Sequence, residues 1–163
     1  MNKLLLAAAL LAGFWAAPAG AQTKVGDWTV EKRGKDTHCN ASRGYNDADD
    51  ENRYYGIVFT YSTDRIVIVL VYDGWGWENA GRILRADLST DKDDILKKSR
   101  WEVMNEAAVR GVFEFDQRIM DRLARSQRLS LDFEEDEDES VEFEIPRAAE
   151  MLAALRFCEE NRK

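Results

Sequence analysis

The sequence predicts a mainly β, antiparallel domain (α+β), a sandwich or partly closed barrel, with one crossing helix and a helix at the C-terminus. Three observations predict it. Short runs of β-branched and aromatic residues recur between turn-forming clusters. Helical spacing of apolar residues occurs in only two late segments. The two cysteines, Cys39 and Cys158, stand near opposite ends of the chain.

The organising stretch is Arg65-Ile66-Val67-Ile68-Val69-Leu70-Val71-Tyr72. Both alternating sets are apolar, so it reads as a central strand covered on both faces. Before it, Val25 to Glu31 reads as one opening strand with Trp28 inward, and Gly34-Lys35-Asp36 as a turn. Thr37 to Ser42 reads as a second strand carrying Cys39, and the polar stretch Arg43 to Arg53 as a loop. Tyr54 to Tyr61 is a third strand, joined to the central one by Ser62-Thr63-Asp64 as an antiparallel hairpin.

Beyond Tyr72, residues 73–81 form a Gly-rich loop holding Trp75 and Trp77. Arg82 to Leu88 alternates, with Ile83 and one of Ala86 or Leu88 directed inward. Ser89 to Asp94 is turn-like, Trp101 to Met104 a strand, Asn105 to Val109 a turn or short strand, and Gly111 to Phe115 strand-like. The period then changes. Asp116 caps a helix over Gln117 to Arg125, with Ile119, Met120 and Leu123 on its apolar face. Leu129 to Phe133 and Val141 to Ile145 alternate with period two and form a hairpin with an acidic tip. Pro146 suits the first position of a last helix. Ala148, Met151, Leu152, Leu155 and Cys158 share its buried stripe, and Glu159 to Lys163 is expected to fray.

Residues 1–21 have the form of a secretion signal. Lys3 gives a positive start, Leu4 to Ala12 an apolar segment, and Ala19-Gly20-Ala21 a small-x-small cleavage site, with the cut expected after Ala21. Residues 22–163 then form a single periplasmic or secreted domain with no membrane span. In such a compartment an even cysteine count predicts a disulfide Cys39–Cys158, against the alternative of two buried free thiols.

The formal net charge is −8, and removal of the signal takes away one base and no acid. No basic stripe is left to neutralise phosphates, so nucleic acid is excluded as a partner, and the acidic field favours a cationic one. Glu134, Glu135, Asp136, Glu137, Asp138 and Glu139 form the acidic tip. They read either as a solvated turn or as carboxylates for Ca²⁺; the spacing and Gly of a Ca²⁺-binding EF-hand loop are missing. Asp47 to Glu51 poses the same pair of readings. Trp75 and Trp77 either make an exposed platform for a sugar or peptide or cap the core.

His38 is the sole histidine. It has neither the companions of a zinc site nor a Gly-x-Ser-x-Gly elbow for a hydrolytic triad. No metal, cofactor or catalytic residue is expected. The candidate binding surface is Trp75, Trp77, Glu134, Glu135, Asp136, Glu137 and Asp138.

An early Trp, Cys39-Asn40-Ala41, a hydrophobic hairpin, a Trp-bearing turn, the Gly111-Val112-Phe113-Glu114-Phe115 strand and a terminal Ala154-Leu155-Arg156-Phe157-Cys158 helix follow one another in this order. In that order the chain resembles exported proteins of the invasion-associated locus B type and their bacterial relatives. It departs from them in Glu144-Ile145-Pro146 before the last helix and in having no second cysteine near the first Trp. The resemblance implies a periplasmic β-rich domain stapled by one disulfide, with no catalytic residue to carry over. The functional expectation is a non-enzymatic binding protein engaging a cationic protein. The alternatives are an envelope or host-association factor with mainly structural contacts and, behind both, a hydrolase.

Overall fold

A computed structural model describes residues 22–32, 37–134 and 140–162. The secretion-signal reading (1–21), the turn at Gly34-Lys35-Asp36 and acidic-tip residues Glu135 to Glu139 lie outside the described residues.

Ten strands form one antiparallel sheet: β1 (Thr23–Val25), β2 (Trp28–Glu31), β3 (Asn40–Asn46), β4 (Tyr54–Tyr61), β5 (Arg65–Tyr72), β6 (Ile83–Thr90), β7 (Asp94–Asn105), β8 (Ala108–Glu114), β9 (Arg128–Phe133) and β10 (Val141–Glu144). Their order across the sheet is β1-β2-β3-β4-β5-β8-β7-β6-β9-β10. Among the described residues, two helices, α1 (Gln117–Ala124) and α2 (Ala148–Glu160), accompany the sheet. The sheet is not closed by a ladder between its outer strands, so of the two architectures expected the partly closed barrel is the nearer.

β5 is central, as expected, paired with β4 on one side and β8 on the other. Its inward set, Ile66, Ile68 and Leu70, is fully buried with Ile57 and Phe59 of β4 and Val109 of β8. The other set is not. Val67, Val69 and Val71 lie on the opposite face, half-buried beside Val58, with Val112 half-exposed. The sequence expectation of cover on both faces is therefore corrected: both helices sit on the inner side, and no described element covers the outer one.

Several boundaries differ from expectation for identifiable reasons. The single opening strand is a hairpin, because Gly26 takes φ +57 and turns the chain between Val25 and Trp28. β3 runs four residues into the presumed loop, since its backbone pairs with β4 through Asn46↔Tyr54 whatever the polarity of its side chains. β7 begins at Asp94, its polar first half held by β6 across register shifts near Leu88. Ile83 faces outward, 44% exposed, and Leu84, Ala86 and Leu88 face the core. In α1, Asp116 accepts the N–H of Arg118 at 2.8 Å, the expected cap, and Ile119, Met120 and Leu123 are buried. α2 begins at Ala148, with Arg147 at its N-terminus in the left-handed region (φ 55); Pro146 lies just before the helix.

α2 lies against β1 to β4 and against α1. Met151 and Leu155 are buried, and Trp28, fully buried, donates from Nε1 to the carbonyl of Pro146 at 2.7 Å. The helix is tied at its far end by the disulfide Cys39–Cys158, which spans 119 residues of sequence. Glu159 was expected to fray. It is instead held: Oε2 accepts the N–H of Cys39 at 3.0 Å, and Oε1 lies 2.7 Å from His38 Nδ1 and 2.7 Å from Arg162 Nε. The sole histidine thus belongs to the clasp around the disulfide.

The double variant Cys39→Ser, Cys158→Ser is expected to lose up to roughly 4–5 kcal/mol by loop-closure entropy. The denaturant midpoint of the variant against the oxidised protein checks this, and an unchanged midpoint contradicts it.

Candidate functional site

The inner face of β3 presents Ala41, Arg43 and Tyr45 in alternation, and these residues meet the far edge of the sheet. Arg43 Nη1 donates to the carbonyl of Glu144 at 3.0 Å, and Nη2 to Glu144 Oε2 at 3.2 Å. The Tyr45 hydroxyl accepts the N–H of Glu144 at 2.7 Å. The guanidinium carbon stands 4.0 Å above the Tyr45 ring centroid. β3 and β10 are thus joined across a seam by side chains alone. Arg43 is only 8% exposed, and its Nε is buried with no acceptor.

Behind this seam runs a file of aromatic rings. Tyr45 stacks on Tyr55 at 5.1 Å, Tyr55 meets Tyr72 at 5.0 Å and Phe143 edge-on at 5.8 Å, and Tyr72 leads to Trp75. Trp75 and Trp77 pack on each other and on Phe133. Trp75 is 3% exposed and Trp77 half-buried, so the exposed-platform reading is corrected. Both rings cap the end of the core, because the 73–81 loop folds over Phe133 and Phe143 instead of standing away from the sheet.

The described acids of the β9–β10 hairpin occupy exposed positions. Asp132, Glu134, Glu142 and Glu144 are all exposed, alternating with the buried Leu131, Phe133, Val141 and Phe143. Three cations reach them: Lys98 to Glu134 at 2.8 Å, Arg128 to Glu142 at 3.2 Å, and Arg43 to Glu144. Of the acidic tip, only Glu134 is among the described residues; Glu135, Asp136, Glu137 and Asp138 are not.

The second acidic loop is knotted internally. Asp47 accepts the N–H of Asp49 at 2.9 Å and the hydroxyl of Tyr55 at 3.1 Å, and these bonds hold its carboxyl below the usual range. Asp50 accepts from Asn52 and pairs with Arg53. Among the described residues, no group of three or more His, Cys, Asp or Glu is arranged to hold a metal ion.

Burial pushes the Tyr55 hydroxyl up to about 12, and donation to Asp47 adds to the effect. Burial likewise raises Tyr45.

No family model, no curated protein and no solved structure matches the chain. The seam and its acidic flank are therefore read from geometry alone. Sequence reasoning missed Arg43 and Tyr45 by placing them in or beside a loop. The available signal was the period-two series Ala41, Arg43, Tyr45.

Two outcomes follow. Arg43→Ala leaves the Glu144 carbonyl without its cross-seam donor and is expected to cost about 1–3 kcal/mol, read from thermal or denaturant unfolding; a neutral effect contradicts the bridge. For Tyr55 the folded-state value lies above the unfolded one, so the unfolded chain loses its proton first as pH rises. Its contribution is complete below pH 10 and disappears toward about 12. Tyr55→Phe is expected to flatten that alkaline loss in a stability-against-pH series.

Proposed function

We propose that the protein is an exported, non-enzymatic interaction module that engages a cationic protein through the acidic face of the β9–β10 hairpin. One observation carries this reading. Between Leu131 and Ile145 the sequence has nine acids and no base, and the four of them described at the hairpin's ends are all exposed. Among the described residues, Lys98 pairs with Glu134, Arg128 with Glu142 and Arg43 with Glu144. Concentrating like charge at one end of a domain raises its field there and steers a partner of opposite sign.

The disulfide fits an oxidising compartment, which supports export. Among the described residues no helix is long and apolar enough to cross a membrane. The non-enzymatic part of the reading rests on the sequence, which has one histidine and no Gly-x-Ser-x-Gly elbow to serve it. A periplasmic relative of the invasion-associated locus B type is in keeping with the same picture and rests on the sequence resemblance.

Binding to a panel of small basic proteins at low and high salt tests the proposal. The wild-type protein should bind at least one of them, with affinity falling steeply as salt rises. A variant carrying amides at Glu134, Glu135, Asp136, Glu137, Asp138 and Glu139 should lose most of that affinity. Binding indifferent to both changes, or none to any basic protein, overturns it.

A further inference from the structure

We infer that the open edge of β10 accepts an extended cationic peptide segment as an additional strand in the seam beside β3. This rests on the reading that the partner is cationic and adds the manner of recognition.

The backbone of β10 shows which groups are free. Phe143 and Val141 pair with Leu129 and Leu131 of β9, and the N–H of Ile145 continues that ladder to the carbonyl of Gln127 at 2.7 Å. Glu144 turns both its N–H and its C=O the other way, to Tyr45 and Arg43. Alternate residues of a strand direct their main-chain groups to the same side. Glu142, two residues back, therefore also directs its N–H and C=O into the seam. Among the described residues nothing hydrogen-bonds to them there.

At Glu144 the seam is bridged by the Arg43 and Tyr45 side chains, and no bond between described residues bridges it at Glu142. Passing from Arg43 to Tyr45 moves from the carbonyl of Glu144 to its N–H, that is, toward Glu142. The turn after β3, with Asp47, Asp49, Asp50 and Glu51, therefore lies at the Glu142 end. Of these, Asp49 and Glu51 are exposed, as are Glu142 and Glu144 on β10.

A second, independent observation points to an occupant. Arg43 is more than nine-tenths buried, lies in the seam, and holds an Nε–H that has no acceptor. Burial of such a donor without a partner is costly, and a peptide carbonyl is the acceptor it lacks. The ligand chemistry follows: a β-prone segment with lysine or arginine at alternate positions to meet Glu142 and Glu144, and a free main chain to pair with β10. This is strand addition to an open sheet edge.

Three synthetic probes test it against the purified protein: a peptide alternating lysine with valine, the same peptide N-methylated at alternate backbone nitrogens, and polylysine. The unmodified peptide should bind, and it should slow hydrogen exchange at the Glu142 amide. N-methylation, which keeps the charge and removes the pairing groups, should weaken binding by about tenfold or more. Glu142→Pro, tolerated at an edge strand, should weaken the unmodified peptide to the level of its N-methylated form. Equal binding of the methylated and unmodified peptides overturns strand addition while the acidic-surface reading stands. Failure of all three probes, polylysine included, overturns both. Protection confined to residues away from β10 overturns the placement.

Discussion

Everything in this molecule depends on holding α2 against the inner face of a sheet that does not close on itself. An open ten-stranded sheet has one face to bury and two edges to manage. The inner face of β1 to β4 needs a lid, and α2 supplies it, with Met151 and Leu155 buried in the same core as Ile57 and Phe59. That lid is fixed at both ends: near its start by Trp28 donating to Pro146, and near its end by Cys39–Cys158 with Glu159 gripping the N–H of Cys39. The covalent tie spans nearly the whole domain, so it constrains the unfolded chain as strongly as a single crosslink can.

The two edges are managed differently. β1 is only three residues long, with β2 and α2 packed behind it, which limits what could pair with it. β10 is held from the inside by Arg43 and Tyr45 and dressed on the outside with Glu142 and Glu144. Charged side chains at an edge discourage pairing with a second copy of the same acidic chain. The same charges do not discourage a cationic strand. Under the proposed strand addition, charge would separate self from a cationic segment and main-chain pairing would hold the latter.

Much of this architecture was legible in the sequence, and the failures have physical causes. The β4–β5 hairpin, the α1 cap at Asp116 and the disulfide follow from local pattern and compartment, so they could be read. β5 misled on one point. Val67, Val69 and Val71 have the signature of a buried face, but this chain leaves them half-covered. The first half of β7, Asp94 to Arg100, was invisible because its pairing with β6 is carried by backbone while its side chains are mostly polar. Gly26 hid a turn, since nothing around it in sequence marks the positive φ it adopts. The acidic hairpin was readable as charge, and the burial of Trp75 was not, because that depends on the 73–81 loop closing over Phe133 and Phe143.

The seam shows why a site of this kind resists reading from sequence. Arg43 and Glu144 are 101 residues apart, and neither sits in a motif. What brings them together is the sheet order, which places β3 third from one edge and β10 at the other. Because β2 pairs with β3 only from Asn40 to Ser42, the same edge of β3 beyond Ser42 has no described strand laddered to it, while its other edge stays paired with β4. A buried guanidinium there is stabilised by the Tyr45 ring and by a carboxylate that is itself exposed, 64% for the Glu144 side chain. An apolar residue of similar volume would fill the same space without a charge to compensate. Arg43 does what no apolar residue could: it holds a main-chain carbonyl across the seam, joining two strands that share no ladder.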